Sequence, residues 1–223
     1  WRSPGTKAAM RAAPPRSPRL TARSLLDFAL PPGWSIPALT GARFDLANVS
    51  HRTDALATNP MSLFDFIGRQ FDPSLTWRDV EWLAAEWNGP LAIKGLMTPE
   101  DATRAIHSGA SGVILSNHGG RQLDGAPAPI DQVAAVRDAL GNGPDVICDG
   151  GARRGSDVVK ALALGATACS IGRPYLYGLA AAGEAGVART LKLLRAEFER
   201  TLALAGVPEI QTLSRRHIRH RPR

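Results

Sequence analysis

Four short apolar runs, each trailed by a helical pattern, lie between residues 91 and 171: Leu91-Ala92-Ile93, Gly112 to Leu115, Val146-Ile147-Cys148 and Ala168-Cys169-Ser170-Ile171. Each run is too short for a helix and lacks the alternation of a half-solvated strand. They therefore read as strands of a parallel sheet covered on both faces. The segments between them read as helices. Thr98 to Ser108 opens with Thr98 as cap and Pro99 in the first turn, and Pro129 to Leu140 and Gly155 to Leu164 follow. A longer amphipathic helix, Gly186 to Leu204, comes last. A doubly wound sheet and a (β/α)8 barrel both satisfy this order, and four units amount to half a barrel.

Upstream of that rhythm the signals weaken. Residues 1–20 are rich in proline and basic groups without periodicity and read as loop. Thr21 to Leu30 reads as a short helix stopped by Pro31-Pro32-Gly33, and residues 33–60 read as irregular. Thr76, with Asp79 three residues on, caps a helix whose Val80, Leu83, Ala84 and Trp87 recur at helical spacing. Trp77, Trp82 and Trp87 on that helix are expected to pack rather than stack on a ligand. The expected organisation is a basic Pro-rich loop region with short helices at 1–75, β/α units at 76–210 and a basic tail at 211–223.

The net charge of +7 suggests a nucleic-acid binder, but its distribution argues against that. Of 27 basic groups, six fall within residues 1–23 and five arginines lie in the tail from Arg215, leaving 16 against 20 acidic groups in the body. The excess sits on two ends that read as solvated tails, with peripheral contact to an anionic membrane surface as the other reading. Cys148 and Cys169 lie inside apolar runs with no CxxC spacing, so they are expected to be reduced, buried thiols that hold no metal.

In a parallel α/β fold, ligands bind at the carboxyl ends of the strands. The first run ends in Lys94-Gly95, the second in Ser116-Asn117-His118-Gly119-Gly120-Arg121, the third in Asp149-Gly150-Gly151-Ala152-Arg153-Arg154-Gly155 and the fourth in Gly172-Arg173. Each delivers a cation, and an anionic ligand is the simplest common explanation. The third and fourth ends suit a phosphate: bare backbone N–H groups, a helix N-terminus at Gly155 or Ser156, and Arg153 or Arg173 as counter-charge. His118 is a candidate general base, and Arg121 offers a two-pronged fork for a carboxylate. Capping of the following helix is the structural alternative for His118, and an ordinary snorkelling lysine is the alternative for Lys94.

Ser116 to Gln122, with Leu123-Asp124 after it, closely resembles the signature of FMN-dependent 2-hydroxy acid dehydrogenases and oxidases. Lys94-Gly95, Asp149 to Gly155 and Gly172-Arg173-Pro174 match that family's other motifs in the same order, and the likeness covers about residues 20 to 210. Phe71-Asp72-Pro73-Ser74 through Glu81-Trp82 more loosely resembles the branch of bacterial respiratory L-lactate dehydrogenases. The resemblance implies a (β/α)8 TIM barrel that binds FMN, of which this chain holds the C-terminal half. It implies that His118 accepts a proton and that Arg121 holds a substrate carboxylate. Lys94, Ser116, Asp149, Gly150, Gly151, Ala152, Arg153, Gly172 and Arg173 are implied to hold the cofactor. It further implies an L-2-hydroxy acid substrate, L-lactate first, and a quinone, cytochrome or oxygen as electron acceptor. Homo-oligomerisation of the full-length protein and a cytoplasmic location, with peripheral contact at the inner membrane as a variant, are also expected. The family's first four strands, with substrate-contacting tyrosines and an aspartate that orients the base, have no counterpart in these residues. A half-barrel read this way leaves two strand edges open.

Overall fold

The computed structural model describes residues 21–30, 32–41 and 72–219. The expected loop at 1–20, most of the irregular stretch at 33–60 and the end of the tail lie outside the described residues. The chain divides into two compact units, Trp1–Ser74 and Leu75–Arg223.

In the first unit, α1 spans Ala22–Ala29, as its sequence predicts. A second helix, α2, spans Pro32–Thr40, where an irregular chain is expected. Pro32 does not stop a helix here; it starts one, at the first helical position, where its missing N–H has no intrahelical partner to lose.

The second unit opens with α3, Trp77–Trp87. The Asp79 carboxylate accepts from the Thr76 N–H at 2.6 Å and its hydroxyl at 2.7 Å, so the predicted cap forms. Trp77 packs against the core with the Arg104 guanidinium 5.4 Å from its ring centroid. Trp82 and Trp87 are 65% and 63% exposed, contrary to the packing expectation, because α3 buries none of its residues fully.

Four parallel strands follow in sheet order β1-β2-β3-β4: β1 Ala92–Leu96, β2 Gly112–Ser116, β3 Asp145–Asp149 and β4 Ala168–Ser170. The crossovers are α4 Pro99–His107, α5 Pro129–Leu140 and α6 Gly155–Ala163. The alternation of a strand sorts the sheet into two faces. Val113, Leu115, Val146 and Cys148 pack with Ala102 and Ala105 of α4, Val133 and Val136 of α5 and Ala161 of α6 into one core. The opposite face carries Lys94, Ile114, Ile147 and Ala168 in one row and Ser116, Asp149 and Ser170 in the row nearest the strand ends. There Ile114 and Ile147 are half-buried and Ala168 is exposed. Helices thus cover one face, and among the described residues β1 pairs only with β2 and β4 only with β3. Four β/α units of this kind form a partial TIM barrel.

The last helix, α7, runs Arg173–Leu204, starting well before the expected Gly186, and breaks at Ala182 and Gly183 (φ 56°). The break folds its two parts together so closely that a Cβ at Gly178 would meet Thr190 Oγ1 and the carbonyl oxygen of Gly186. Beyond α7 the chain does not run loose at once. Arg215 sets its fork on Asp138 at 2.7 and 2.9 Å and donates to the Ala134 carbonyl at 3.0 Å, so the reading of a solvated tail fails for this residue.

Candidate active site at the strand ends

The motif residues at the tips of β1, β2 and β3 meet through one carboxylate. Asp149 Oδ2 accepts from Lys94 Nζ at 2.6 Å and from Ser116 Oγ at 2.6 Å, and Lys94 Nζ also donates to Ser116 Oγ at 2.9 Å. Ser170 on β4 is the register partner of Asp149. Burial pushes the Asp149 carboxyl up, but the hydrogen bonds from Lys94 and Ser116 and the lysine charge outweigh it. The net effect holds the group below the ordinary carboxylate value, ionised and paired. Ser116 is 1% exposed, while the side chain of Lys94 is 46% exposed. Lys94 is therefore not a bland snorkelling residue; it is clamped at its head.

The aim of Lys94 depends on an irregularity. Between Lys94 and Leu96 the pairing with β2 shifts by one residue, with Gly95 at φ 99° in the gap. A Cβ at Gly95 would stand 3.2 Å from His118 Nε2, so the glycine also gives the imidazole its place. Gly95 was not expected as a site residue, and its only signal is its position directly after the strand-end lysine.

His118 follows β2 in a single 3-10 turn, His118–Gly120, with φ of 55° at His118, 71° at Gly119 and 73° at Gly120. Its backbone N–H donates to Ser116 Oγ at 3.1 Å. Asn117 caps the turn, and the following helix, α5, has Ala128 at its N-cap and no side-chain cap, so His118 does not cap it. Arg173, at the tip of β4, reaches across to donate from Nη2 to the Gly119 carbonyl at 2.8 Å. The Arg121 guanidinium is exposed and makes no hydrogen bond or ion pair among the described residues.

The expected phosphate loop divides. At the start of α6 three N–H groups are already taken: those of Arg153 and Arg154 donate to Asp157 Oδ2 at 3.1 Å each, and that of Gly155 donates to Glu197 Oε2 at 3.0 Å. Arg154 also pairs with Glu197 at 3.6 Å. The N–H groups of Gly151, Ala152 and Ser156 carry no hydrogen bond among the described residues, and the side chains of Arg153 and Arg173 are exposed. Gly150 (φ 108°) and Gly151 (φ 84°) hold left-handed conformations, and a Cβ at Gly151 or Gly172 would meet nothing within 4 Å. A hollow of about 190 Å³ lies away from these tips, between Arg154, Ser156, Glu197, Arg200, Thr201 and Leu204. The strand-end surface itself is open.

Half of a parallel β/α barrel, with a lysine–serine–aspartate cluster, an imidazole and bare glycine loops on its ligand-binding rim, is the class that fold and site define. Residues 3–220 match the family described as FMN-dependent dehydrogenase, and the chain belongs to that family. Glycolate oxidase 1 of Oryza sativa subsp. indica is 43% identical over 215 residues, 96% of this chain and 56% of that protein. An L-lactate dehydrogenase of Pseudomonas aeruginosa (strain LESB58) is 41% identical over 201 residues, 88% of this chain and 52% of that protein. Among solved structures, monotopic membrane protein (S)-mandelate dehydrogenase superposes with a TM-score of 0.83 at 45% identity, over 91% of this chain and 53% of that one. The chain spans about half the length of the curated relatives it matches.

The residues present fit the family's cofactor. The open space over Gly151 and Gly172, the spare N–H groups and the two exposed arginines suit a phosphate ester, and the clamped ammonium of Lys94 suits a group that gains negative charge.

Proposed function

We propose that the full-length protein is an FMN-dependent oxidase or dehydrogenase of L-2-hydroxy acids, with L-lactate as first substrate and the 2-oxo acid as product. The observation that carries this reading is the placement of the His118 ring beside Gly95, on the same rim as the Lys94–Ser116–Asp149 cluster. FMN, when bound, supplies the acceptor for two electrons and the hydrogen on the substrate's C2. Lys94, Ser116, Asp149, Gly150, Gly151, Ala152, Arg153, Gly172 and Arg173 would hold it. Arg121, exposed and uncommitted, grips the substrate carboxylate in two parallel hydrogen bonds and so fixes which face of C2 is presented. Neutral His118 takes the hydroxyl proton and becomes imidazolium. Lys94, aimed by Asp149, offsets negative charge as it develops.

The stretch from Phe71 to Trp82 and the L-lactate dehydrogenase relative support lactate, and the glycolate oxidase and (S)-mandelate dehydrogenase relatives support the wider class of 2-hydroxy acids. A quinone, cytochrome or oxygen takes the electrons onward. The basic residues at both ends give peripheral contact with an anionic membrane face as the variant to solvated tails, and the full-length protein assembles as a homo-oligomer. A second reading rests on the two strand edges that have no partner among the described residues: a chain of this extent on its own is a catalytically silent piece that keeps part of the phosphate-binding rim.

The test is His118→Asn in the full-length flavoprotein, followed by flavin absorbance after mixing with L-lactate. The expected result is a yellow protein whose bleaching slows by about 10²–10⁴-fold. Undiminished bleaching removes His118 as the base, and a wild-type protein that stays yellow with L-lactate, glycolate and mandelate alike removes the reading itself.

A further inference from the structure

The turn that carries His118 is held in a conformation that side chains other than glycine rarely adopt. Its three consecutive residues all have positive φ, and His118 (φ 55°) has a Cβ to accommodate. Left-handed backbone at such a residue is disfavoured and persists only where the surroundings impose it.

Asn117 is the residue placed to impose it. Its Oδ1 accepts from the Gly120 N–H at 3.2 Å, which closes the turn from inside. Its Nδ2 donates to the Pro127 carbonyl at 3.3 Å, ten residues on, where the chain approaches α5. A Cβ at Gly150 would stand 3.8 Å from the same Oδ1, so the amide also lies against the tip of β3. One short side chain that accepts on one branch and donates on the other has to be an amide. Aspartate keeps the acceptor and loses the donor; alanine loses both.

We propose that Asn117 is a positioning residue that fixes where His118 and Arg121 stand relative to each other by tying their turn to the Pro127 segment. This rests on the roles proposed above for His118 and Arg121. Asn117 itself touches neither substrate nor cofactor in this assignment. Its effect passes through the turn, where a misplacement of about 1 Å is enough to cost up to 10²-fold in rate.

The experiment uses the full-length flavoprotein with Asn117→Ala and Asn117→Asp. It reads tryptic cleavage after Arg121 under native conditions, bound FMN by absorbance, and kcat, KM and the pH profile of kcat/KM with L-lactate. Asn117→Ala is expected to speed cleavage after Arg121 by tenfold or more and to lower kcat/KM by about ten- to a hundredfold, with bound FMN unchanged. The pH profile should shift with it, since the imidazole has moved. Asn117→Asp, which keeps the turn closed, should resist trypsin nearly as the wild type does and recover part of kcat. Wild-type cleavage and wild-type kcat/KM in Asn117→Ala overturn the proposal. If Asn117→Ala does not fold, Asn117→Asp decides, and wild-type kcat/KM and pH profile in that variant overturn it equally. If no 2-hydroxy acid is oxidised by the wild type, the cleavage arm still reports on the tie while the functional reading falls.

Discussion

Gly155 stands where α6 starts, at the end of the Asp149 to Gly155 motif, and its hydrogen faces the main chain of α7. A Cβ added there would meet the Phe198 nitrogen and the Leu194 carbonyl oxygen inside any permitted contact, and would stand 2.7 Å from the Glu197 carbonyl carbon. Backbone cannot rotate away as a side chain can, so Gly155→Ala must push α7 outward by about 1 Å to restore ordinary separation. That displacement also lengthens the bond from the Gly155 N–H to Glu197 Oε2, now 3.0 Å. Overpacking against a rigid neighbour costs about 1–3 kcal/mol, and weakening a hydrogen bond to a charged group adds about 1 kcal/mol. A total near 3 kcal/mol corresponds to a fall in Tm of about 3–5 °C for a full-length protein roughly twice the length of this chain. Thermal unfolding of the full-length protein followed by circular dichroism measures it, with two controls. Gly143→Ala, with nothing within 4 Å and no positive φ, should melt within about 0.5 kcal/mol of the wild type. Gly120→Ala, with open space but φ 73°, should lose only about 1 kcal/mol from strain. Because α6 carries the Gly150–Arg154 loop, Gly155→Ala should also release FMN more readily. A Gly155→Ala protein that melts no lower than Gly120→Ala refutes the argument that helix contact, not ligand contact, demands this glycine.

Two further outcomes follow from the cluster and the thiols. The Asp149 carboxyl is lowered from its ordinary 3.8, so its stabilising contribution is fully present above that value and is lost as pH falls through the lower folded value. Asp149→Asn should therefore flatten the acid side of the stability curve; with Lys94 half exposed, the ion pair alone accounts for no more than about 1 kcal/mol, and acid unfolding curves of the same slope in both proteins contradict the assignment. Cys148 and Cys169 are direct partners on β3 and β4, and the hydrogen bond to Cys148, with burial behind it, pushes the Cys169 thiol far up. Alkylation by iodoacetamide should be slow for both in the native protein and rapid after unfolding, and two modified cysteines within minutes under native conditions would overturn this.

The strand and helix pattern was legible because its signals are local. Thr98 and Pro99 mark the start of α4, and Pro129 to Leu140 gives α5 to the residue. Lys94, Ser116, Asp149 and Arg173 were legible as strand-end groups because parallel topology brings successive tips side by side. What was not legible is contact between distant segments. No local signal says that Gly155 faces α7, that Glu197 takes the first N–H of α6, or that Arg173 rests on Gly119. The helix α2 was missed because Pro31-Pro32 is ambiguous: the same dipeptide ends one helix and begins the next. The exposure of Trp82 and Trp87 was missed because helical spacing predicts a face without predicting what covers it.

Ser116, Asp149 and Ser170 stand level with one another across three strands, while their immediate predecessors Leu115, Cys148 and Cys169 point into the helix-lined core. A strand sliding by a single position would sink an ionised carboxylate among valines and lift a thiol or a leucine onto the rim. The same few groups that meet the ligand therefore also act as an alignment key, ruling out mispaired sheets while the chain is still folding.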